Sequence, residues 1–205
     1  MLLKNKNAVI YGAGGAIGSA VARAFARDGA RLFLAGRTLV KIDAVANEIR
    51  AAGGMAQAAQ VDALDEQAVE KHLDAVVKNA GGIDISFNAV GFQEIQGIPL
   101  VDLSLVDFAF PITTWSRTVF LTGRAAARRM TKQGSGVILT INAPKGHEAL
   151  SGGFAAACAA VEALSRTLAA EVGPHGVRVL CLQPNAVPES AALRESVAQH
   201  ARGQG

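Results

Sequence analysis

A short apolar stretch of the sequence leads directly into clustered glycines and then into a helical pattern. Val9-Ile10-Tyr11 is followed by Gly12-Ala13-Gly14-Gly15-Ala16-Ile17-Gly18. Because glycine lacks a Cβ, the main-chain N–H groups of such a turn can approach an anion at the positive end of the next helix. The pattern predicts a site for the phosphates of a dinucleotide, formed by Gly12, Gly14, Gly15, Ile17 and Gly18. An ordinary tight turn between a strand and a helix is the alternative, and the surrounding elements decide between the two.

The composition predicts a single well-packed domain over 1–205. The chain is 50% hydrophobic and 18% charged, and its net charge of +3 is spread along the sequence. It therefore lacks the basic patch of a nucleic-acid-binding protein. No apolar run approaches the length of a membrane span, and the first seven residues do not resemble a signal peptide. We expect a cytoplasmic protein that binds neither nucleic acid nor membranes.

The two cysteines argue against a disulfide framework or a metal site. Cys158 falls in a predicted helix and Cys181 in a predicted buried strand, a placement that suits reduced thiols. The sequence contains no CxxC or HExxH pattern, so no metal is expected.

Strands and helices alternate along the chain with short connections. The strands are continuous apolar runs, which is typical of a parallel sheet covered on both faces. Strands are predicted at 7–11, 31–35, 56–61, 83–88, 136–142 and 177–183, and helices at 17–28, 39–52, 66–79, 114–132 and 154–172. Asp65 is the expected N-cap of the third helix. Right-handed crossovers then give an α/β fold with a doubly wound, Rossmann-like parallel sheet, and a ligand crevice at the carboxyl ends of its strands.

The end of the second strand bears on the choice of dinucleotide. An acidic residue there would hold the ribose hydroxyl of NAD, but the sequence reads Gly36-Arg37-Thr38. A guanidinium suits a 2′-phosphate because it combines charge with a planar fork of donors. Arg37 and Thr38 therefore favour NADP(H) over NAD(H), the alternative being a surface arginine that precedes a helix.

The order of these motifs resembles that of the short-chain dehydrogenase/reductase family over nearly the whole chain. The resemblance rests on Gly12-x-x-x-Ala16-x-Gly18, Asn88-Ala89-Val90-Gly91, Val161-Glu162-Ala163-Leu164-Ser165 and Gly176-Val177-Arg178-Val179. It implies that Asp62 contacts the adenine ring and that Asn88 supports the strand ends beneath the cofactor. A helix-entry cap is the simpler role for Asp62. Ala16 replaces a family glycine, and its methyl group is expected to weaken phosphate binding.

The same resemblance implies that the usual catalytic residues are missing. In the family, a tyrosine exchanges the proton, a lysine four residues later lowers the tyrosine pKa, and a serine orients the substrate oxygen. Here those positions are occupied by Phe154, Cys158 and Ala143. The family's asparagine on the preceding helix would lie near Thr114 or Trp115. Phenylalanine holds no titratable proton, and a thiol does not reproduce a fixed ammonium.

Weak substitute donors follow the fifth strand. Asn142 is the polar side chain closest to the serine position, and the loop contains Lys145 and His147. Imidazole titrates in the useful pH range, but a solvated loop is the simpler interpretation of this segment.

After the sixth strand the sequence contains only a short helical pattern at 190–201, so the family's substrate-covering segment is expected to be truncated or absent. The small residues of 154–170 suit close helix packing, which makes a homodimer or higher homo-oligomer plausible. Two functions remain open: an NADP(H)-dependent oxidoreductase with non-standard proton chemistry, acting on an unidentified small carbonyl, enone or imine, or a catalytically inactive NADP(H)-binding protein with a structural or regulatory role.

Overall fold

The computed structural model describes residues 1–92, 94–143 and 149–184, together with residues 194, 197, 198 and 201. In chain order the elements are β1 (Asn7–Tyr11), α1 (Ala16–Arg27), β2 (Arg31–Gly36), α2 (Leu39–Ala51), β3 (Met55–Gln60), α3 (Glu66–Ala80), β4 (Ile85–Asn88), α4 (Leu105–Gln133), β5 (Gly136–Ile141), α5 (Phe154–Val172), a 3₁₀ turn (Gly173–His175) and β6 (Val177–Leu182). The helix expected at 190–201 lies largely outside the described residues.

The six strands form one parallel sheet in the order β3-β2-β1-β4-β5-β6. The predicted doubly wound α/β fold is confirmed. The order reverses at β1, whose last residue Tyr11 pairs with Ala35 of β2 on one side and with Asn88 of β4 on the other. A crevice for ligands forms at such a switch point, outside the carboxyl ends of the strands. The glycine turn that follows Tyr11 lies at this point.

Two apolar layers cover the sheet. On one face, α1 and α2 bury Ala22, Ile42, Ala46 and Ile49 against strand residues such as Leu34. On the other face, α3, α4 and α5 pack through a separate set that includes Val69, Leu73, Ala126, Met130 and Val172. β1 is apolar throughout its buried part because it is covered from both sides. Across the described residues, no helix has both the length and the apolar character needed to cross a membrane.

Local sequence signals account for the ends of α3. The side chain of Asp65 accepts a hydrogen bond from the backbone N–H of Ala68, which confirms Asp65 as the N-cap. The helix ends at Gly81, whose φ of 83° lies in the left-handed region that glycine adopts without strain. Most other predicted boundaries agree with the structure to within one or two residues.

The predicted start of the fourth helix at residue 114 is wrong, because α4 begins nine residues earlier at Leu105. Ser104 caps it by accepting a hydrogen bond from the backbone N–H of Asp107 at 3.1 Å. The helix continues through Pro111, a residue that usually breaks helices because it has no N–H and crowds the preceding turn. Pro111 is buried and lies close to Gly153, the N-cap of α5. Tertiary packing therefore outweighs the local preference.

Candidate functional site

The glycine turn leaves no room for side chains where the backbone passes closest to itself. Gly12 has a φ of 74°, and a Cβ on it would overlap the carbonyl oxygen of Ala89 at the end of β4. A Cβ on Gly18 would overlap the carbonyl oxygen of Gly12. These two glycines hold α1 tightly against the carboxyl ends of β1 and β4. The N-terminus of α1 is thereby fixed at the switch point of the sheet.

The N-terminus of α1 has no side chain that caps or neutralises it. Gly15 is its N-cap and supplies no side-chain hydrogen bond, and the first turn contains no acidic residue. The unpaired N–H groups of a helix start and its partial positive charge then face the crevice. Gly14 and Gly15 lie in the same turn, together with the half-buried Ile17. The predicted phosphate-binding residues are therefore brought together, and they fit the pyrophosphate of a dinucleotide.

The neighbouring strands bring the remaining predicted cofactor residues to the same edge of the sheet. Arg37 and Thr38 follow β2, and both are exposed. The amide of Gln60 donates a hydrogen bond to the carbonyl oxygen of Arg37 at 3.0 Å, which fixes that backbone while the guanidinium stays accessible. Thr38 is the N-cap of α2 and makes no side-chain cap hydrogen bond.

Asp62 follows β3 and is exposed at the same edge. Its carboxylate accepts a hydrogen bond from the backbone N–H of Leu64 at 2.9 Å. Asp62 thus shapes the turn that enters α3, while the actual N-cap is Asp65. An adenine contact by Asp62 stays a prediction.

Asn88 joins the end of β4 to α4. Its amide donates to the Thr122 hydroxyl at 2.9 Å, and its side-chain oxygen accepts from the backbone N–H of Val90 at 3.0 Å. Asn88 is 3% exposed, so both ends of the buried amide are paired. Asn88 therefore fastens the end of β4 to α4, while its place beneath a cofactor stays a prediction.

The positions that correspond to the family's proton-transfer residues lie together in an apolar environment. Ala143, Phe154 and Cys158 pack in one cluster around Trp115 and Val161. The Phe154 ring stacks on the Trp115 ring, with the centroids 5.5 Å apart and the planes 6° from parallel. Cys158 is 3% exposed. At the positions that the resemblance assigns to proton transfer, the structure shows apolar packing.

Of the three predicted substitute donors, the structure describes only Asn142. Asn142 is 4% exposed; its amide donates to the Cys158 carbonyl oxygen at 3.0 Å, and its side-chain oxygen accepts from the backbone N–H of Ala143 at 2.8 Å. Asn142 therefore fastens the end of β5 to α5. Lys145 and His147 lie outside the described residues. Among the residues that the structure describes, no group of three or more metal-binding side chains occurs.

Tyr11 is the only tyrosine in the chain, and its environment does not suit a proton donor or acceptor. It is fully buried beneath the glycine turn, and this burial raises the pKa of its hydroxyl well above the ordinary range, although Arg129 acts in the opposite direction. Its ring meets the His72 ring edge-on at 6.2 Å. Burial lowers the pKa of His72 to about 4. Both groups are therefore uncharged at neutral pH.

Three residues near the site were not predicted from the sequence. Phe92 and Phe110 extend the Trp115–Phe154 stack, with Phe92 centroids 5.2 Å from Trp115 and 6.5 Å from Phe110. Lys41 of α2 lies so close to the glycine turn that its Cβ is 3.0 Å from the place of a Cβ on Gly14. The signal for Phe110 was the capping pattern of Ser104 and Asp107, which extends α4 toward the crevice. Lys41 carried no local signal.

Comparison with known proteins agrees with this geometry. The family model described as short chain dehydrogenase matches residues 6–201. The chain belongs to the short-chain dehydrogenase family. Members of this oxidoreductase family bind nicotinamide cofactors, and the glycine turn of this chain fits such a cofactor by the geometry given above.

Relatives and solved structures cover most of the chain. It is 32% identical to gluconate 5-dehydrogenase of Gluconobacter oxydans, covering 89% of this chain and 71% of that protein. It is also 32% identical to D-threitol dehydrogenase of Mycolicibacterium smegmatis, covering 90% and 71%. The structure of NAD+-bound xylitol dehydrogenase superimposes with a TM-score of 0.94 at 26% identity, covering 100% of this short-chain dehydrogenase and 79% of that chain. A short-chain type dehydrogenase/reductase from Mycobacterium marinum gives 0.82 at 34% identity, covering 89% and 75%.

Proposed function

We propose that this chain is an NADP(H)-linked oxidoreductase that transfers a hydride to or from a small carbonyl, enone or imine without the proton pair of its family. The observation that carries the proposal is the glycine turn at the switch point. Arg37 is exposed at the same edge of the sheet, and Phe154 and Cys158 are apolar where the family has its proton pair. Bound there, the nicotinamide supplies or accepts the hydride.

The residues that would hold the cofactor follow from their positions. The N–H groups at the start of α1 bind the pyrophosphate, and Gly12 and Gly18 hold that helix start against the strand ends at the switch point. Arg37 offers its guanidinium to a 2′-phosphate, and the acidic residue that would favour NAD is absent from Gly36-Arg37-Thr38. One structural neighbour is described as NAD+-bound. The preference for NADP(H) is therefore proposed for this chain alone, on the basis of Arg37.

Hydride transfer remains feasible without the tyrosine. Holding a nicotinamide against an electrophile supplies orientation, and the loss of general acid catalysis typically costs about 10²–10⁴-fold in rate. A substrate that is already activated, such as a conjugated enone or an imine, tolerates that loss better than a simple ketone.

We also propose that the protein works in the cytoplasm, where Cys158 and Cys181 stay reduced.

The test is calorimetric titration with NADPH and NADH, followed by absorbance measurements of nicotinamide oxidation against a panel of carbonyls, enones and imines. We expect tight binding of NADPH, weaker binding of NADH, and oxidation with the activated substrates. Binding without any oxidation would favour the alternative of a catalytically inactive NADP(H)-binding protein. Failure to bind either nucleotide would contradict both functions.

The cofactor preference is tested by Arg37→Asp. Removing a charge-assisted contact to the 2′-phosphate should weaken NADPH binding about 10–100-fold. NADH binding should be unchanged or stronger, because the new carboxylate can hold the ribose hydroxyl. Lys71→Asp is the matched control, since it makes the same change of charge at an exposed position of α3. Equal losses for the two nucleotides, or the same loss in the control, would mean that Arg37 does not read the 2′-phosphate.

A further inference from the structure

Four aromatic side chains form a continuous surface beside the crevice. We call Phe92, Phe110, Trp115 and Phe154 the aromatic cluster. Phe92 follows β4, Phe110 and Trp115 lie on α4, and Phe154 is the first residue of α5. The Phe92 ring lies 5.2 Å from Trp115 and 6.3 Å from Phe154, tilted by 54° and 53°. Phe110 continues the row edge-on to Phe92.

The aromatic cluster is only partly covered. Trp115 is 6% exposed, whereas Phe110 is 46% exposed and Phe92 and Phe154 are half-buried. Its innermost pair is the stack of Trp115 and Phe154, which packs with Ala143 and Cys158. The accessible rings adjoin Phe154, which occupies the position that the resemblance assigns to the family's proton donor.

Three polar side chains near the aromatic cluster are already engaged in holding the fold. Asn142 binds the Cys158 carbonyl oxygen, and the hydroxyls of Thr118 and Thr122 donate to carbonyl oxygens of α4. A substrate rich in hydroxyl groups would lose hydration here without gaining these partners. The described rings suit a flat molecule with few hydrogen-bonding groups instead.

The chemistry at these rings must take place without a proton donor at the family position. Reducing a ketone leaves an alkoxide that needs a proton, whereas reducing an iminium ion does not. A reduced nicotinamide bound beside the cluster would supply the hydride by breaking one of its C–H bonds, and the new C–H bond would form at the iminium carbon. The π electrons of the C=N bond become the nitrogen lone pair, and the positive charge passes to the oxidised nicotinamide. Atoms and charge balance with no proton taken up.

The faces of aromatic rings carry partial negative charge and attract cations within about 6 Å of the ring centroid. They also stack on flat conjugated systems. We propose that the aromatic cluster binds a planar, ring-fused iminium cation as the hydride acceptor of this protein. The inference rests on the proposed function, because it requires NADPH bound at the glycine turn.

The probe is N-methyl-3,4-dihydroisoquinolinium, whose C=N bond carries a permanent positive charge, and 1-tetralone is the neutral ketone of matching ring size. Binding is measured by quenching of tryptophan fluorescence, since Trp115 is the only tryptophan in the chain. With NADP+ present the probe cannot react, so binding is observed separately from turnover. With NADPH, absorbance follows oxidation, after subtraction of the rate without protein. NADPH binding is measured independently by calorimetry.

Variants distinguish an aromatic face from apolar bulk. Phe154→Leu keeps an apolar side chain but removes the ring face, and it should weaken binding of the iminium probe about 3–10-fold. Phe154→Tyr retains the face and should retain binding. Phe25→Leu makes the same loss of a ring on α1, in the layer on the opposite side of the sheet, and is expected to bind the probe like the parent protein.

We expect the iminium probe to be reduced at a rate that is constant between pH 6 and pH 9, because the step consumes no proton, and 1-tetralone to react far more slowly. NADPH binding with equal reduction of the two probes, with a pH-dependent iminium rate, or with no iminium reduction would overturn the inference while the cofactor site stands. Unchanged iminium binding by Phe154→Leu would also overturn it. Failure of NADPH to bind would remove the proposed function itself.

Discussion

Tyr11 and His72 meet in the interior directly beneath the glycine turn. The Tyr11 hydroxyl and the His72 Nε2 are both buried and have no hydrogen-bond partner among the described side chains and backbone. Such groups cost free energy when they carry charge, which is why burial lowers the pKa of His72 to about 4. The folded protein therefore favours the neutral form of the His72 imidazole, which lies between α3 and β1.

This preference makes stability depend on pH. Above pH 6.5, His72 is neutral in both the folded and the unfolded state, and its full contribution to stability is present. As the pH falls from 6.5 to about 4, only the unfolded state takes up the proton, so the free energy of unfolding drops by up to about 1.4 kcal/mol per pH unit. Urea unfolding of the parent and of His72→Leu at pH 7.5 and pH 5 measures this loss.

His72→Leu should lose less stability between the two pH values than the parent does. His175→Leu is the control, since His175 lies exposed in the 3₁₀ turn before β6. An identical pH dependence of His72→Leu and the parent would rule out His72 as the group responsible.

At the scale of elements, α3 and α4 are joined by arginines of α4 that bind carboxylates of α3. Arg129 bonds to Glu70 at 2.7 Å and to Asp74 at 2.5 Å, while Arg128 bonds to Glu70 at 3.0 Å. Burial alone would lower the pKa of Arg129, but its hydrogen bonds to Asp74 and Glu70 outweigh burial and raise the pKa. These ion pairs hold α3 against α4, the helix that contains Trp115 and bonds to Asn88 through Thr122.

The two adjacent arginines allow a matched comparison. The Arg129 side chain is 14% exposed, and that of Arg128 is 57% exposed. Arg129→Met should lower the free energy of unfolding by about 2–3 kcal/mol, because it leaves Glu70 half-buried without its main partner. Arg128→Met removes a solvated pair and should change it by less than about 1 kcal/mol. Chemical denaturation measures both, and equal losses would contradict the role of burial.

The elements also show which features the sequence could and could not predict. The glycine turn and the Asp65 cap were predictable, because each depends on backbone geometry within a few residues. The early start of α4 had a local signal in the Ser104 cap, but Pro111 argues against a helix there and is held inside it by packing against residues far away in sequence. The aromatic cluster was missed for the same reason. Phe92 and Phe110 lie in segments without a catalytic pattern and meet only when the sheet brings β4, α4 and α5 together.

At the scale of the whole molecule, one helix layer presents apolar surface that the described fold does not cover. Phe120 of α4 is 45% exposed, and Ala156 and Ala159 of α5 are exposed. Small exposed residues let helices approach closely, and a symmetric dimer brings the same surface together from two copies. We propose that a second copy of this chain covers the outer faces of α4 and α5.

Light scattering coupled to size-exclusion chromatography tests this assembly. We expect a mass of about twice the 21.1 kDa of one chain. Phe120→Glu and Ala159→Glu each place a charge on the proposed interface, where burying an unpaired carboxylate is costly, so each should shift the protein toward the monomer. Val40→Glu is the control, because Val40 is 80% exposed on α2 in the opposite layer. A monomeric parent, or a dimer unaffected by both interface variants, would contradict the proposed surface.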